Sequence, residues 1–183
     1  MVLNKNLFVT ATLIALNFVV FFLSEFVVNK DVFFAYFGLN YFIFNGFYWQ
    51  VFTTMFLHAN FLHIAMNMAV LYQFGSILER YLGGVRFALV YIIGGIITSA
   101  FSVIYTYIMI TYNSTVINLV GASGAISVLL GLLAYLDPHS RKGLIAAILI
   151  MSFVPMLAGI KIGWYAHLIG FGVGYLYGKI FKR

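Results

Sequence analysis

The sequence contains little charge and no cysteine. Of its 183 residues, 64% are hydrophobic and only 8% are charged, whereas an ordinary soluble domain carries about 25% charged residues. A soluble globule of this composition would expose a largely apolar surface, so the shortage of charge excludes that class and favours burial in lipid. The mean hydropathy of +1.06 agrees. The absence of cysteine excludes disulfide frameworks, thiolate chemistry and cysteine-based metal sites.

The apolar residues fall into six segments of spanning length. Because a membrane-spanning helix takes about 20 apolar residues, we expect an all-α membrane protein with a six-helix bundle and a single membrane domain over residues 1–183. The predicted spans are Leu7–Val28, Phe61–Arg80, Phe87–Ile110, Leu119–Leu136, Gly143–Ala158 and Trp164–Phe181. The first is interpreted as an anchor rather than a cleaved signal peptide, since it exceeds the usual apolar length of about 7–15 residues and no small-x-small cleavage site follows it.

The segment 29–60 has a different composition from the spans. Polar residues alternate there with many aromatic residues, and no uninterrupted apolar run reaches spanning length. Since aromatic side chains favour the level of the lipid headgroups, we predict a long, folded first loop that is partly sunk into the membrane.

The basic residues lie mostly on one side of this topology. Eight of the ten share that side: Lys5, Arg80, Arg86, Arg141, Lys142, Lys179, Lys182 and Arg183. Only Lys30 and Lys161 fall on the other side. Because cytoplasmic loops carry the excess of Lys and Arg, we expect both termini in the cytoplasm. The net charge of +6 is therefore explained by topology and not by binding of nucleic acid.

Four of the polar residues inside the predicted spans bear on function: His63, Asn67, Ser123 and His167. Such residues are costly in lipid, so each is a candidate for function. Ser123 is four residues and His167 three residues beyond the predicted start of its span, which gives both a depth of about 5–6 Å. His63 and Asn67 are four residues apart and share a helix face. The four residues together supply a nucleophile, a base and oxyanion donors, as a serine hydrolase requires.

Small residues continue along the helix faces that carry Ser123 and His167. They are Ser127, Gly131 and Ala134 below the serine, and Gly170, Gly174 and Gly178 below the histidine. Small residues at this spacing let two helices approach closely in lipid, so we expect the serine hydroxyl to reach His167, which would act as general base and then general acid. No carboxylate is predicted at this level, so a Ser–His dyad is expected.

Each of these features also has an ordinary structural explanation. A lone membrane serine usually bonds back to its own helix, glycine stripes often serve packing alone, and a histidine can bond a backbone carbonyl. The convergence of the residues at one depth favours a site. A metal site is not expected, because His58 and His63 do not share a helix face and no His-Glu-x-x-His pattern occurs. His139 is interpreted as a solvated loop residue.

Three motifs resemble those of the rhomboid intramembrane serine proteases. They are Gly121-Ala122-Ser123-Gly124 at the head of the fourth span, Ala166-His167 followed by Gly170 and Gly174 in the sixth, and His58-x4-His63-x3-Asn67 at the second. The resemblance extends to six spans, an aromatic first loop and Glu79-x3-Gly83. It covers nearly the whole chain, and the motifs stand on the expected spans in the expected order.

The resemblance implies a role for each of these residues. Ser123 would be the nucleophile and His167 its base. The oxyanion hole would comprise His63, Asn67 and the backbone at Ser123, with Gly121 allowing the tight turn before it. Structural support would come from Trp49, His58, Glu79, Gly83, Gly124, Gly170 and Gly174. The resemblance implies neither cofactor nor metal.

The sequence departs from the family pattern at two positions. The first-loop motif, usually Trp-Arg, reads Trp49-Gln50, and Ser127 stands where an aromatic ring often supports the catalytic histidine. The first departure bears on the bonding inside the loop, and the second on the orientation of His167.

The resemblance implies an endopeptidase of the bacterial cytoplasmic membrane, with a monomeric catalytic unit, whose partners are transmembrane protein substrates and lipids. A substrate helix must unwind before attack, so we expect Gly or Pro near the scissile bond and a small residue just before it. Two alternatives remain open. One is a catalytically silent relative that binds membrane proteins; the other is a small transporter, which would predict inverted repeats and helices broken at the midplane.

Overall fold

The computed structural model describes residues 7–113, 117–157, 159 and 162–181. Within these residues the regular structure is helical, as the composition predicts. The helices are α1 (Phe8–Phe26), α2 (Lys30–Phe37), α3 (Gln50–Thr53), α4 (Phe61–Val70), α5 (Ser76–Leu82), α6 (Gly84–Asn113), α7 (Ser123–Leu136), α8 (Arg141–Leu157) and α9 (Trp164–Phe181), with 3-10 turns at Tyr41–Asn45 and Thr54–Phe56. Four basic residues of the topology argument, Lys5, Lys161, Lys182 and Arg183, lie outside the described residues, as does Ala158 at the end of the fifth predicted span.

Among the described residues, three helices are long and apolar enough to cross a membrane. They are Phe8–Phe26, Phe61–Leu82 and Gly84–Tyr112, and Ser123–Leu136 is a shorter apolar helix. The helix Phe61–Leu82 is continuous because a π-helical turn, Leu71–Gly75, joins α4 to α5. These helices indicate a multi-pass membrane protein. The segment between the first two, predicted to be a folded loop, is built from short helices and 3-10 turns and contains no spanning helix.

The predicted start of the fourth span is wrong. The prediction places it at Leu119, but α7 begins at Ser123. Leu119 pairs with Leu39 as an antiparallel bridge, with hydrogen bonds of 3.0 and 2.8 Å between their backbone N–H and C=O groups. Because the backbone N–H and C=O groups of Leu119 form hydrogen bonds with the first loop, they are not available for helical hydrogen bonds. Ser123 therefore stands at the helix start and not one turn inside it.

The other predicted spans agree with observed helices to within three residues at the described ends. The first is shorter, the third extends further in both directions, and the sixth coincides with α9. The fifth begins at Arg141 instead of Gly143 and is described to Leu157.

Helix α7 is the centre of the bundle. Every residue from Ala125 to Leu132 is buried, as expected for a helix that is apolar on all faces and surrounded by protein. Helix α9 lies parallel to it along its glycine face. A β-carbon on Gly170 would come within 2.3 Å of the Gly124 carbonyl oxygen, and one on Gly174 within 1.9 Å of the Val128 carbonyl oxygen. Glycine thus permits backbone contact between the two helices.

A buried carboxylate joins α5 to the start of α1. Glu79 is 1% exposed, and its two carboxylate oxygens accept hydrogen bonds from the backbone N–H groups of Val9 at 2.9 Å and Thr10 at 2.8 Å. These donors lie in the first turn of α1, where N–H groups lack intrahelical partners and negative charge is favoured. Gly83 ends α5 with φ of 80° and ψ of 156°, a conformation that is accessible essentially only to glycine.

Candidate active site

Ser123 and His167 meet at the head of the parallel α7–α9 pair. The Ser123 Oγ lies 2.9 Å from the His167 Nε2. Ser123 is the first residue of α7 and is half-buried, whereas His167, in the first turn of α9, is 7% exposed. The close approach expected from the small-residue faces therefore places these two side chains within hydrogen-bond distance.

The first loop fixes the chain just before Ser123. The Gly121 N–H donates to the Thr54 carbonyl at 3.0 Å, and the Thr54 hydroxyl donates to the Leu119 carbonyl. Together with the Leu39–Leu119 bridge, these bonds hold the backbone on both sides of residue 120. The loop thereby determines where α7 begins and where the serine lies.

Gly121 occupies a position that suits only glycine. Its φ of 130° is rare for any residue with a side chain. A β-carbon there would also come within 2.9 Å of both the Cε1 and Nε2 atoms of His63. The absence of a side chain at residue 121 therefore allows the His63 ring to lie against the turn that precedes Ser123.

Local hydrogen bonds set the position and tautomer of His63. The Asn60 side chain caps α4 by accepting a hydrogen bond from the His63 N–H at 2.9 Å. The His63 Nδ1 is 3.4 Å from the Ala59 N–H and accepts from it. In a neutral imidazole, a nitrogen that accepts leaves the other nitrogen to carry the proton. His63 Nε2 is thus a donor that lies beside Gly121.

Asn67 lies one turn further along α4 on the same face as His63. It is 6% exposed, and its side-chain N–H donates to the His63 carbonyl at 2.9 Å. This bond uses one of the two amide hydrogens. Among the described hydrogen bonds, the Asn67 side chain therefore binds the His63 backbone and not Ser123.

His58 supports the His63 ring and is itself fully buried. The two ring centroids are 5.1 Å apart in an edge-to-face arrangement. Burial, and to a smaller extent the proximity of His63, lower the pKa of His58 to about 3. His58 is therefore neutral near pH 7 and acts as an aromatic buttress. Among the described residues no group of three His, Asp or Glu side chains could hold a metal ion.

Gln50 serves as the brace of the first loop. It is fully buried, and its amide group donates to the carbonyls of Ala35 at 3.0 Å and Tyr36 at 3.3 Å. Its carbonyl accepts from the Asn40 N–H at 3.2 Å. Trp49 adds a bond from its indole N–H to the Tyr36 carbonyl at 3.0 Å. An uncharged side chain thus bonds the loop internally where the family more often has a cation.

Ser127 contributes to packing and not to the orientation of the His167 ring. It is fully buried, and its hydroxyl donates to the Ser123 carbonyl at 2.7 Å. Its small size matters because a β-carbon on Gly170 would lie 3.0 Å from the Ser127 β-carbon. Gly124 similarly lets α6 approach, since its β-carbon would be 3.2 Å from the Thr98 methyl group.

Ser152 is a site residue that the sequence patterns did not single out. It lies in α8, is fully buried, and places its Oγ 3.4 Å from the His167 Nδ1. The signal that could have found it is its position as a polar residue inside an apolar span.

Three of the four Asp and Glu side chains of the chain have partners away from His167. Glu79 binds the start of α1, and Glu25 forms an ion pair with Lys30. Asp137 lies just beyond α7 and is half-buried, and the Ser140 hydroxyl donates to it and holds its pKa below the usual value. Within the described residues, His167 is contacted by the two serines Ser123 and Ser152 and by no carboxylate.

The fold and this site define a class: helical membrane proteins in which a serine hydroxyl and an imidazole meet at the head of a buried helix pair. A family model described as the rhomboid domain matches residues 45–183. The chain belongs to the rhomboid family.

Individual relatives agree with this assignment. The chain is 35% identical over 150 residues to YdcA of Bacillus subtilis, covering 76% of this chain and 70% of that protein. It is 36% identical over 138 residues to the rhomboid protease GluP of the same organism, covering 73% of this chain and 25% of GluP. RHOMBOID-like protein 1 of Arabidopsis thaliana is 35% identical over 143 residues, covering 73% of this chain and 34% of the plant protein. The chain thus spans well under half of the length of the last two.

Proposed function

We propose that this protein is an intramembrane serine endopeptidase that cleaves peptide bonds in or near transmembrane segments of other membrane proteins. The observation that carries the proposal is the 2.9 Å contact between the Ser123 hydroxyl and the His167 imidazole. Family membership supports it, because the same family includes a protein named as a protease at 36% identity.

In the proposed reaction Ser123 attacks the scissile carbonyl carbon. His167 Nε2 takes the hydroxyl proton as the new C–O bond forms, and the carbonyl oxygen becomes an oxyanion. The C–N bond then breaks as His167 returns the proton to the leaving amine. This leaves an ester on Ser123. A water molecule hydrolyses the ester with His167 again acting as base, which releases the acid and restores the serine.

The start of α7 supplies donors for the oxyanion. Because Ser123 is the first helical residue, its backbone N–H and those of the next two residues have no intrahelical acceptor. The helix terminus also carries a partial positive charge. His63 would add a side-chain donor through Nε2, with Asn67 holding the backbone of His63. Such preorganised donors typically contribute about 10²–10³ in rate each.

A small cavity beside Ser123 bears on the choice of substrate. Its volume is about 10 Å³, and it is lined by Thr54, Met55, Thr98, Gly121, Ser123 and neighbouring residues of the site. A space of this size is at the lower limit for one water molecule, so a large substrate side chain would not fit beside Ser123 without movement of the lining residues. It supports the expectation of a small substrate residue beside the scissile bond. Gly or Pro nearby would lower the cost of unwinding the substrate helix.

The proposal includes a topology and a location. We infer six spans, formed by α1, the continuous α4–α5 helix, α6, α7, α8 and α9, with both termini in the cytoplasm as the basic residues indicate. The location would be the cytoplasmic membrane of a bacterium. The catalytic unit would be a single chain over residues 1–183, because Ser123 and His167 meet within it, and the proposed reaction uses no metal or cofactor.

Cleavage of a model transmembrane substrate tests the proposal. The purified protein in lipid vesicles receives a labelled single-span substrate with Gly near its centre, and products are measured by mass spectrometry. We expect one major cut that is lost in Ser123→Ala. Ser102→Ala is the matched control, because Ser102 is also buried but donates to the Thr98 carbonyl of its own helix. Cleavage that persists in Ser123→Ala contradicts the mechanism.

The alternative of a silent binding protein makes a different prediction. Such a protein would retain the substrate in co-purification while cutting none of a panel of substrates, and Ser123→Ala would change nothing. That result would overturn the proposed activity.

A further inference from the structure

Helix α8 places a polar side chain beside His167. Ser152 is fully buried, and two polar groups lie within reach of its hydroxyl: the Ile148 carbonyl oxygen at 2.7 Å and the His167 Nδ1 at 3.4 Å. Helix α8 otherwise contributes apolar residues to the core at this face, including Leu144 and Ile148. Ser152 is thus a polar exception on an apolar face of α8, and it lies against the His167 imidazole.

The hydroxyl has only one proton to donate. The Ile148 carbonyl can only accept, and at 2.7 Å it takes that proton. The Ser152 oxygen then presents lone pairs to the imidazole. For the contact with Nδ1 to be favourable, Nδ1 must carry the hydrogen and donate it to Ser152.

The proton on Nδ1 determines the state of Nε2 on the opposite side of the His167 ring. A neutral imidazole with its proton on Nδ1 has an unprotonated Nε2, which can accept a hydrogen bond. His167 Nε2 is the atom that lies 2.9 Å from the Ser123 Oγ. With the other tautomer, Nε2 would donate toward the serine and could not remove its proton.

We propose that Ser152 is a positioning residue that selects the Nδ1–H tautomer of His167 and orients its ring toward Ser123. It does this through a neutral acceptor where many hydrolases use a carboxylate. The inference rests on the proposed function and deepens it, because the proposed dyad becomes a chain of Ser123, His167 and Ser152 anchored to the Ile148 carbonyl.

The other polar neighbours do not provide this role. Ser127 stands where the family often has a supporting ring, but its hydroxyl donates to the Ser123 carbonyl at 2.7 Å. Ser152 approaches His167 from a different helix and contacts the nitrogen that faces away from the nucleophile. The ring is therefore held between α7 and α8 without an aromatic support at residue 127.

The tautomer is measurable without a substrate. Protein labelled with ¹⁵N-histidine and reconstituted in lipid gives separate NMR signals for protonated and unprotonated ring nitrogens, and His167→Gln identifies those of His167. At a pH where His167 is neutral, we expect a protonated Nδ1 and an unprotonated Nε2 in the native protein. Ser152→Ala should produce a mixture of tautomers, whereas Ser102→Ala should leave the native pattern.

Kinetics provide the second readout. Loss of one neutral hydrogen bond should lower kcat by about three- to tenfold while KM stays the same, because Ser152 is fully buried and contacts the His167 nitrogen opposite Ser123. Ser102→Ala should preserve both constants. The inference is overturned if the native protein carries the proton on Nε2, if Ser152→Ala keeps the native tautomer, or if its kcat equals that of Ser102→Ala. Because the NMR experiment needs no turnover, failure of the protease proposal would be seen separately.

Discussion

Gly174 in α9 lies directly against the backbone of α7 at Val128. A β-carbon at residue 174 would be 1.9 Å from the Val128 carbonyl oxygen, far inside van der Waals contact. Because the obstacle is backbone, a side-chain rotation cannot relieve it. The distance between the two helices, and hence the meeting of Ser123 and His167 at their heads, depends on the absence of this one atom.

Gly174→Ala should separate the heads of α7 and α9. We expect a loss of about 1–3 kcal/mol in stability from overpacking and a several-fold fall in the rate of cleavage. Gly172→Ala is the matched control, since it adds the same methyl group to the same helix where nothing lies within 4 Å. Thermal unfolding in detergent and the cleavage rate measure both effects. Equal behaviour of the two variants would contradict the packing argument.

Gln50→Ala should loosen the first loop and lower activity. The substitution removes the donors to the Ala35 and Tyr36 carbonyls and leaves buried polar groups unpaired, each at a cost of about 1–3 kcal/mol. Through Asn40 the effect would reach the Leu39–Leu119 bridge, which precedes the nucleophile. Limited proteolysis of the loop and the cleavage rate are the measurements.

Tyr48→Ala is the control for Gln50→Ala, because Tyr48 lies in the same loop but is 71% exposed. It should leave both the proteolysis pattern and the rate close to native. If Gln50→Ala is as active and as resistant to proteolysis as this control, the uncharged brace is unimportant.

Glu79→Gln should destabilise the junction of α5 with α1. An amide offers one acceptor and one donor where two backbone N–H groups now face a carboxylate, so one N–H loses its acceptor and the charge is lost. We expect about 1–3 kcal/mol of destabilisation, measured by thermal unfolding. Glu25→Gln, in a partly exposed pair with Lys30, should cost less than about 1 kcal/mol. A smaller effect at Glu79 than at Glu25 would refute the capping role.

The sequence predicts the parts of the fold that follow from hydropathy and residue size. Apolar runs locate the helices to within a few residues, and the spacing of Gly170 and Gly174 predicts the contact with α7 that the structure contains. The helical pairing of His63 with Asn67 is also reproduced, because it depends only on the α-helical period.

The sequence does not predict features that depend on long-range bonds. Apolar residues continue back to Leu119 and predict a helix start there, whereas the bridge between Leu39 and Leu119 keeps the segment before Ser123 out of α7. The π-helical turn Leu71–Gly75 leaves no trace in a period-3.6 pattern.

The contact of Ser152 with His167 depends on how α8 rotates against α9. Hydropathy does not specify that rotation. The sequence shows that Ser152 is a polar residue in an apolar span, but it does not show that His167 is its partner.

The central claim is that His167 activates Ser123 as a nucleophile. The most direct measurement is labelling by a fluorophosphonate probe, followed by mass spectrometry of the modified peptide. We predict a single adduct on Ser123, lost in Ser123→Ala, strongly reduced in His167→Ala, and retained in Ser102→Ala. An adduct on another residue, or native labelling in His167→Ala, would contradict the account.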